Sequence, residues 1–578
     1  MTARGEMVKA AGRLAAARAG LPALQRHRRR ARVAVTHVGR EQGVPALTPQ
    51  PARPPAAVLA VRAGLAALAA AVLFFCYWRQ SQAVPLSSDG SSNVLQAWAM
   101  LHGNLLLHNW WVSDVSFYTT ELPQYMLIAA LTRLGPWVVH AAAAMTYTLL
   151  VLLAAVLAKG RMQGGAGWAR VLLAAGLMLS PQLGATSILL LSPDHTGTAV
   201  PLLVVWLLID RAKPRWYVPV LAGLLLTVTM VADSIILLTG IVPLVLVGAG
   251  RAVTGLIGRG KRDASRWYEL SLAGAAAVAG VAGSFGPRVM AALGGYRQSP
   301  VGTDTDLSQL QHGSWVTFQG FLELFGANVF NPSFFGARPA LEVVFVAVHL
   351  AGAILAVWAL GLGVARVFRL GELIVPVFAV AIVANLGAYM ISTHAQDLLG
   401  VREMAAVLPL GAVLAGRLLG DRIAAWTRAA RRWFVPVLSL LTAGYLAALG
   451  FGAAQVPVPA QSEPLAGWLA AHGLIRGLAS YWQANSTTVA SGGHVVVSAV
   501  VPVVGGRLVP YLWESDVSSY DPARHFANFV VANGPDAWPG MQPSAQLTFG
   551  RPARIYQVDG YTILVWNTNV LARLDGAA

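Results

Sequence analysis

Residues 57–92 read AVLAVRAGLAALAAAVLFFCYWRQSQAVPLSSDGSS. The opening part, about Ala57–Trp78, is almost wholly apolar. About 20 such residues suffice for a helix to cross a bilayer. Next comes Ser87-Ser88-Asp89-Gly90-Ser91-Ser92, which begins a polar, aromatic-rich stretch of about 40 residues. A carboxylate held at the edge of a bilayer is costly and tends to be kept for function. Asp89 is therefore either the mark of a reaction site at the membrane surface or a solvated acid at a helix end.

The rest of the chain fits a membrane setting. Of 578 residues, 56% are apolar and 12% charged, against about 25% charged in soluble domains. The fold class expected is an α-helical polytopic membrane protein with a small C-terminal extracytoplasmic α/β domain. The net charge of +17 raises the question of nucleic acid. The arginines, however, gather in the N-terminal tail and in alternate loops, which is the positive-inside pattern of a membrane protein. Nucleic acid is not an expected partner; the bilayer is. The single cysteine, Cys76, lies in the first apolar segment and supplies neither an internal disulfide nor a metal cluster.

Three domains are expected. Residues 1–55, with Arg26-His27-Arg28-Arg29-Arg30, form a basic cytoplasmic tail. Residues 56–454 form the membrane domain, and 455–578 the outer domain. Eleven crossings are expected, starting with about Ala57–Trp78 and ending with about Trp433–Ala453. The apolar run 216–250 is too long for one crossing and divides at Asp233-Ser234. This count puts every Arg/Lys-rich loop on the cytoplasmic side, the N-terminus inside and the C-terminus outside. The stretch Gly286–Ala340 is expected as a long outer loop. Beyond the linker signal Val456-Pro457-Val458-Pro459, Leu465–Ser480 reads as an amphipathic helix, and Val495–Val504 and Tyr561–Trp566 read as strands.

The candidate chemistry gathers in the outer loops. The first joins Asp89 to Asp114, Glu121, Tyr118, His102, His108, Trp110, Trp111 and Tyr125. Ser91 or Ser92 is suited to cap a helix running to about His102. Val94, Leu95, Trp98 and Leu101 would form its apolar face. Glycosyl transfer from a lipid phosphate needs a base for the acceptor hydroxyl, or a metal held by carboxylates, and a cation for the leaving phosphate. Asp89 suits the first role. Arg402 suits the second, because guanidinium offers a fork of donors that matches phosphate. Asp194 and His195 are either a second acid/base pair, ligands to a shared metal, or a helix cap. Asp233 has either a hydrogen-bonding or a substrate role. Glu403, beside Arg402, reads as a substrate contact or as part of a salt-bridged loop with Asp397. Asp304, Asp306, His312, Glu323 and Arg338 are too dispersed for a metal site.

These residues carry a resemblance. Ser88-Asp89-Gly90 after the first span, the aromatic first loop, the segment Leu224–Asp233, and Gly400-Val401-Arg402-Glu403 leading to Pro409 resemble the GT-C superfamily of integral-membrane glycosyltransferases. The likeness is to bacterial members of the mannosyltransferase and aminoarabinose-transferase type. It covers about residues 57–453. The resemblance implies an inverting glycosyltransferase with a polyprenyl-phosphate sugar as donor and an extracytoplasmic glycan, lipid or protein as acceptor. It implies Asp89 as base or metal ligand, with Mg or Mn as the possible cation, and Arg402 on the lipid phosphate. The pattern departs at two places: Gly90 stands where many members have a second acid, and Glu403 follows Arg402 where a tyrosine is common. Tyr481 and Trp482 are candidates for holding a glycan acceptor. A transporter would show matched halves with intramembrane charges, and no matched halves are visible in the sequence. A non-catalytic envelope-assembly protein would carry the same spans.

Overall fold

The structure is a computed structural model. It describes residues 56–182, 184–257, 264–299, 301, 305, 307–330, 339–367, 372–535 and 537–574. The basic tail lies outside the described residues, as do Asp304, Asp306 and Arg338. Contacts divide the chain after Arg62. The described part of the first unit is helical. The second unit begins at Ala63 and holds the rest of the chain.

A helix occupies each stretch where a span was expected. Among the described residues five are long and apolar enough to cross a membrane: Ala60–Ser81, Trp137–Lys159, Trp267–Ala292, Ala340–Val364 and Arg431–Ala453. Shorter apolar helices lie between them, including Tyr217–Ala232, Leu237–Val253 and Ile374–Met390. The apolar run after residue 216 does break at Asp233, whose backbone turns to an extended φ of −150°. The helices Gly164–Leu177 and Val407–Ala429 pack closely. A Cβ on Gly416 or Gly420 would lie 2.8 or 2.7 Å from Arg170 atoms. Small residues four apart let two membrane helices approach backbone to backbone. Arg170, on the facing helix, bonds Asp421 at 2.8 Å through Nε.

Three expectations need correction. The stretch Gly286–Ala340 is not simply a loop, because it holds the helices Gly286–Ala292 and Leu310–Leu324. Gly313 and Gly320 interrupt the apolar pattern of the second, and both sit where neighbouring elements press close. The stretch expected as the first outer loop holds a second helix, Leu122–Thr132, with a proline in its first turn, a favoured place for that residue. The expected helix Leu465–Ser480 is instead a helix, Ser462–Ala471, followed by a strand, Arg476–Ala479. Gly473 divides them with a φ of +66°, a conformation glycine takes at no steric cost.

Nine strands among the described residues are numbered in chain order. They are β1 (Trp110–Val112), β2 (Arg297–Gln298), β3 (Arg476–Ala479), β4 (Val496–Pro502), β5 (Leu508–Pro510), β6 (Ser515–Asp516), β7 (Phe529–Asn533), β8 (Arg554–Val558) and β9 (Tyr561–Val565). The C-terminal region carries a six-stranded sheet of order β5-β4-β3-β7-β9-β8. A second, three-stranded sheet has order β2-β1-β6. It pairs the first outer loop with residues 297–298 in parallel and with residues 515–516 in antiparallel. This small sheet ties the C-terminal region to the loop that bears Asp89.

Candidate active site

The helix bearing Asp89 starts earlier than the serine pattern suggested. It runs Ser88–Leu101, and Ser87 is its N-cap, with Oγ accepting from Gly90 N at 3.0 Å. Ser91 and Ser92 lie inside the helix. Their hydroxyls donate to the carbonyls of Ser87 and Glu514 at 2.8 and 3.1 Å. Asp89 therefore sits in the first helical turn, where the helix dipole favours its anionic form. Of the expected apolar face, Val94 is fully buried and Leu101 is exposed.

Arg402 stands on a 3-10 turn, Leu399–Met404, seated by the buried Val401 and Met404. Asp397 holds the start of this turn by accepting from Leu399 N at 2.8 Å. The turn leads into the helix Val407–Ala429. Arg402 Nη1 reaches Asp194 Oδ2 at 3.1 Å and Asp89 Oδ2 at 3.4 Å. Three residues from three distant parts of the chain thus meet at one guanidinium. The Arg402 side chain is 46% exposed, that of Asp89 20% and that of Asp194 11%. The site opens outward through the arginine. Asp194, helped by Asp89 and opposed by burial, holds the Arg402 guanidinium firmly protonated. Burial and the nearby Asp194 push the Asp89 carboxyl up, against the pull of Arg402 and Tyr481.

Asp194 and His195 do not cap the next helix, which begins at Ala199. They diverge instead. Asp194 faces Arg402, while His195, held at a φ of +41°, bonds Asp233 Oδ2 at 2.9 Å through Nδ1. Thr198 donates to the same oxygen at 2.6 Å, and Ile235 N to Oδ1 at 3.0 Å. Asp233 is 1% exposed, so its observed contacts are structural hydrogen bonds. Although burial opposes it, Asp233 raises His195 to about 9.

The remaining candidates fall at different distances from this centre. Glu403 pairs with His394, and its backbone carbonyl accepts from Asn385. Asp114 is half-buried; burial pushes its carboxyl up, opposed by His195 and His394. Glu121 is fully buried and bonded to the Thr120 hydroxyl; the structure does not bring it to an open surface. Tyr118 donates to the Leu105 carbonyl at 2.8 Å and packs on Tyr296, apart from Asp89. In the long outer stretch, His312 bonds the Gln396 carbonyl and Glu323 bonds Asn328.

Tyr481 is not placed to hold an acceptor. It is 2% exposed, and its hydroxyl lies 2.5 Å from Asp89 Oδ1 and 2.7 Å from Glu514 Oε2. Trp482, 46% exposed, does face open space. It lines a cavity of about 80 Å³ with Ser87, Ser88 and Gln483. Glu514 is the residue that the sequence reading missed. Its one signal was an acid at the end of the aromatic run Tyr511-Leu512-Trp513-Glu514.

A divalent cation does not fit the residues as arranged. The two carboxylates best placed to bind one, Asp89 and Asp194, share the Arg402 cation, and Asp89 Oδ1 takes the Tyr481 hydroxyl. Among the described residues no three His, Cys, Asp or Glu side chains form a group able to hold a metal.

The described helices and the appended sheet form a fold that is also seen in a solved protein. The chain is similar to ArnT from Cupriavidus metallidurans, solved bound to undecaprenyl phosphate, with 12% identity and a TM-score of 0.50. The match covers 89% of this chain and 98% of that one. The apo oligosaccharyltransferase of Archaeoglobus fulgidus matches at 14% identity and a TM-score of 0.43, over 81% of this chain and 69% of that one. No family model matches the chain, and no curated protein matches its sequence.

Proposed function

We propose that the chain is a membrane glycosyltransferase. It moves a sugar from a polyprenyl-phosphate donor to a hydroxyl acceptor at the extracytoplasmic face, with inversion at the anomeric carbon. The observation that carries this reading is Arg402 spanning Asp194 and Asp89 at 3.1 and 3.4 Å. A base and a phosphate-binding cation then stand side by side. Asp89 takes the proton of the acceptor hydroxyl as its oxygen attacks the anomeric carbon. The bond from that carbon to the phosphate oxygen breaks, and the polyprenyl phosphate leaves with its charge on Arg402. A carboxyl pushed above the usual range is a better base than a free one. The guanidinium stabilises charge that develops only in the transition state. Asp194 keeps Arg402 aimed at the opening, and no step requires a metal.

The basic inner loops support an N-terminus in the cytoplasm and eleven crossings, with residues 455–578 as an outer domain. Trp482 and its uncharged cavity suit a neutral, hydroxyl-bearing acceptor, because aromatic faces and hydroxyl-bonding groups suit sugars. Membranes holding the protein are to be assayed with radiolabelled polyprenyl-phosphate sugars. Asp89→Asn should insert normally and lower transfer by about 10²–10⁴-fold, the usual worth of a general base. Full transfer by that variant would overturn the assignment.

A further inference from the structure

We propose that Glu514 is the protonated end of a three-member chain, Glu514–Tyr481–Asp89, that keeps Asp89 ionised and aimed. The inference rests on the reading of Asp89 as the base.

Proton counting carries the argument. The Tyr481 oxygen lies within hydrogen-bonding distance of two carboxyl groups, at 2.5 and 2.7 Å. A phenol has one proton to donate. If both carboxyls were ionised, one short contact would set a phenol lone pair against a carboxylate in a buried site, at considerable cost. A second proton therefore belongs to the chain, and it sits on Asp89 or on Glu514.

The surroundings decide which. Burial and Asp194 push Asp89 up as well, but it lies in a first helical turn and faces Arg402, and both of these favour its anion. Glu514 is 2% exposed, its carboxyl contacts Tyr481, and two further acids, Asp89 and Asp194, act on it electrostatically. Burial and these anions push its carboxyl well above the usual range. Glu514 thus donates to Tyr481 Oη, and Tyr481 donates to Asp89 Oδ1. Oδ2 is left on the Arg402 side, where the acceptor hydroxyl would arrive. A neutral Glu514 also spares Asp89 a second negative charge close by.

The backbone shows that this placement is imposed. Glu514 has a φ of +47°. Such a conformation is strained for a non-glycine residue and persists only where its surroundings fix it. Here Ser92 Oγ and Asn485 Nδ2 both donate to the Glu514 carbonyl, at 3.1 and 3.4 Å. Ser88 Oγ donates to the Tyr481 carbonyl at 2.7 Å. The helix that carries Asp89 thus grips both relay residues by their main chain. Glu514 and Tyr481 are positioning residues, acting through Asp89.

Two measurements on the full chain in lipid nanodiscs test this. The first is infrared difference spectroscopy at neutral pH, which needs no substrate. Wild type minus Glu514→Gln should show one protonated-carboxyl band, and Tyr481→Phe should keep that band but move it to higher frequency as its acceptor is lost. Absence of the band from the Glu514 difference overturns the proposal, whatever the transfer assay gives. The second is the pH profile of sugar transfer. Glu514→Gln, which keeps a neutral donor, should retain most of the rate. Tyr481→Phe should move the acidic limb to higher pH, because the anion of Asp89 loses a donor. An unmoved limb in a variant that unfolds at the wild-type temperature also overturns it. A band with no transfer by any form would leave the proton on Glu514 and remove only the role of Asp89 as base.

Discussion

Gly90 and Val139 approach so closely that a Cβ at position 90 would lie 2.8 Å from Val139 Cγ1 and 3.3 Å from Ser192 Cβ. The residue after the candidate base thus lies at a three-way junction. It joins the Asp89 helix, the helix Trp137–Lys159 and the loop that brings Asp194. This explains why no second acid follows Asp89: there is no room for its side chain. Gly90→Ala should destabilise the protein by about 1–3 kcal/mol, the usual cost of overfilling a packed site. Gly90→Asp, which restores the double acid, should do worse, since it also buries a charge. Thermal unfolding in detergent, read beside transfer activity, checks both. A Gly90→Asp protein as stable as wild type would show that the junction yields.

Arg402→Lys should behave almost as badly as Arg402→Ala. One guanidinium nitrogen serves two carboxylates at once, leaving the rest of the fork for an incoming phosphate. Lysine presents a point charge with no such fork. We expect both variants to lose about 10²–10³-fold in transfer rate, the scale seen when a charge-stabilising donor is removed. Rates at saturating donor separate this from a loss of binding alone. A lysine variant within about threefold of wild type would mean that charge alone suffices, contrary to the selectivity expected of bidentate sites.

The bundle was legible because apolar length and charge at segment ends are local properties of a sequence. The break at Asp233 was legible for the same reason: one acid in a long apolar run has to sit at a turn. Asp89 and Arg402 stood out as charges beside apolar segments. Their mutual contact is 313 residues apart in sequence, and periodicity carries no information on such pairings. Glu514 was hidden for a further reason. It lies just before β6, a strand of two residues, too short to alternate. The N-cap was misplaced by one turn because Ser87, Ser88, Ser91 and Ser92 are equivalent by type, and only the backbone decides among them. The resemblance left Asp89 as base or metal ligand, because a motif names residues and not what has already claimed their oxygens.

The hold of Arg402 on both carboxylates bears directly on metal dependence. Transfer should survive EDTA, with the initial rate within about twofold of the untreated enzyme. Added Mg or Mn should give no recovery beyond that level. The reason is electrostatic: a dication would have to displace Arg402 from Asp89 and Asp194, whose charges it already offsets. Loss of activity with EDTA, restored by Mg or Mn, would show that the arginine moves aside when donor binds.

The pair of His195 and Asp233 predicts how stability depends on pH. Burial alone would lower the imidazole, but Asp233 at 2.9 Å raises it from 6.5 to about 9. A raised value means that the folded state binds the proton more tightly than the unfolded one. The stabilisation is therefore complete below about pH 6.5 and is lost as pH rises through about 9. At 1.36 kcal/mol per pH unit, the full effect is on the order of 3 kcal/mol. The unfolding temperature of the wild type should fall across that window. His195→Gln should be less stable at pH 6, and its curve should be nearly flat over the same range. Asp233→Asn should flatten it too, since the histidine then has no anion to hold its proton. Parallel curves for wild type and both variants would show that the pair does not titrate there. The pair also bears on the site: His195 follows Asp194 directly, so the strained turn at a φ of +41° transmits any loosening to the carboxylate that aims Arg402. Transfer by the His195 variant should therefore decline even at pH 6, through a weaker hold on the donor and not through a lost proton carrier.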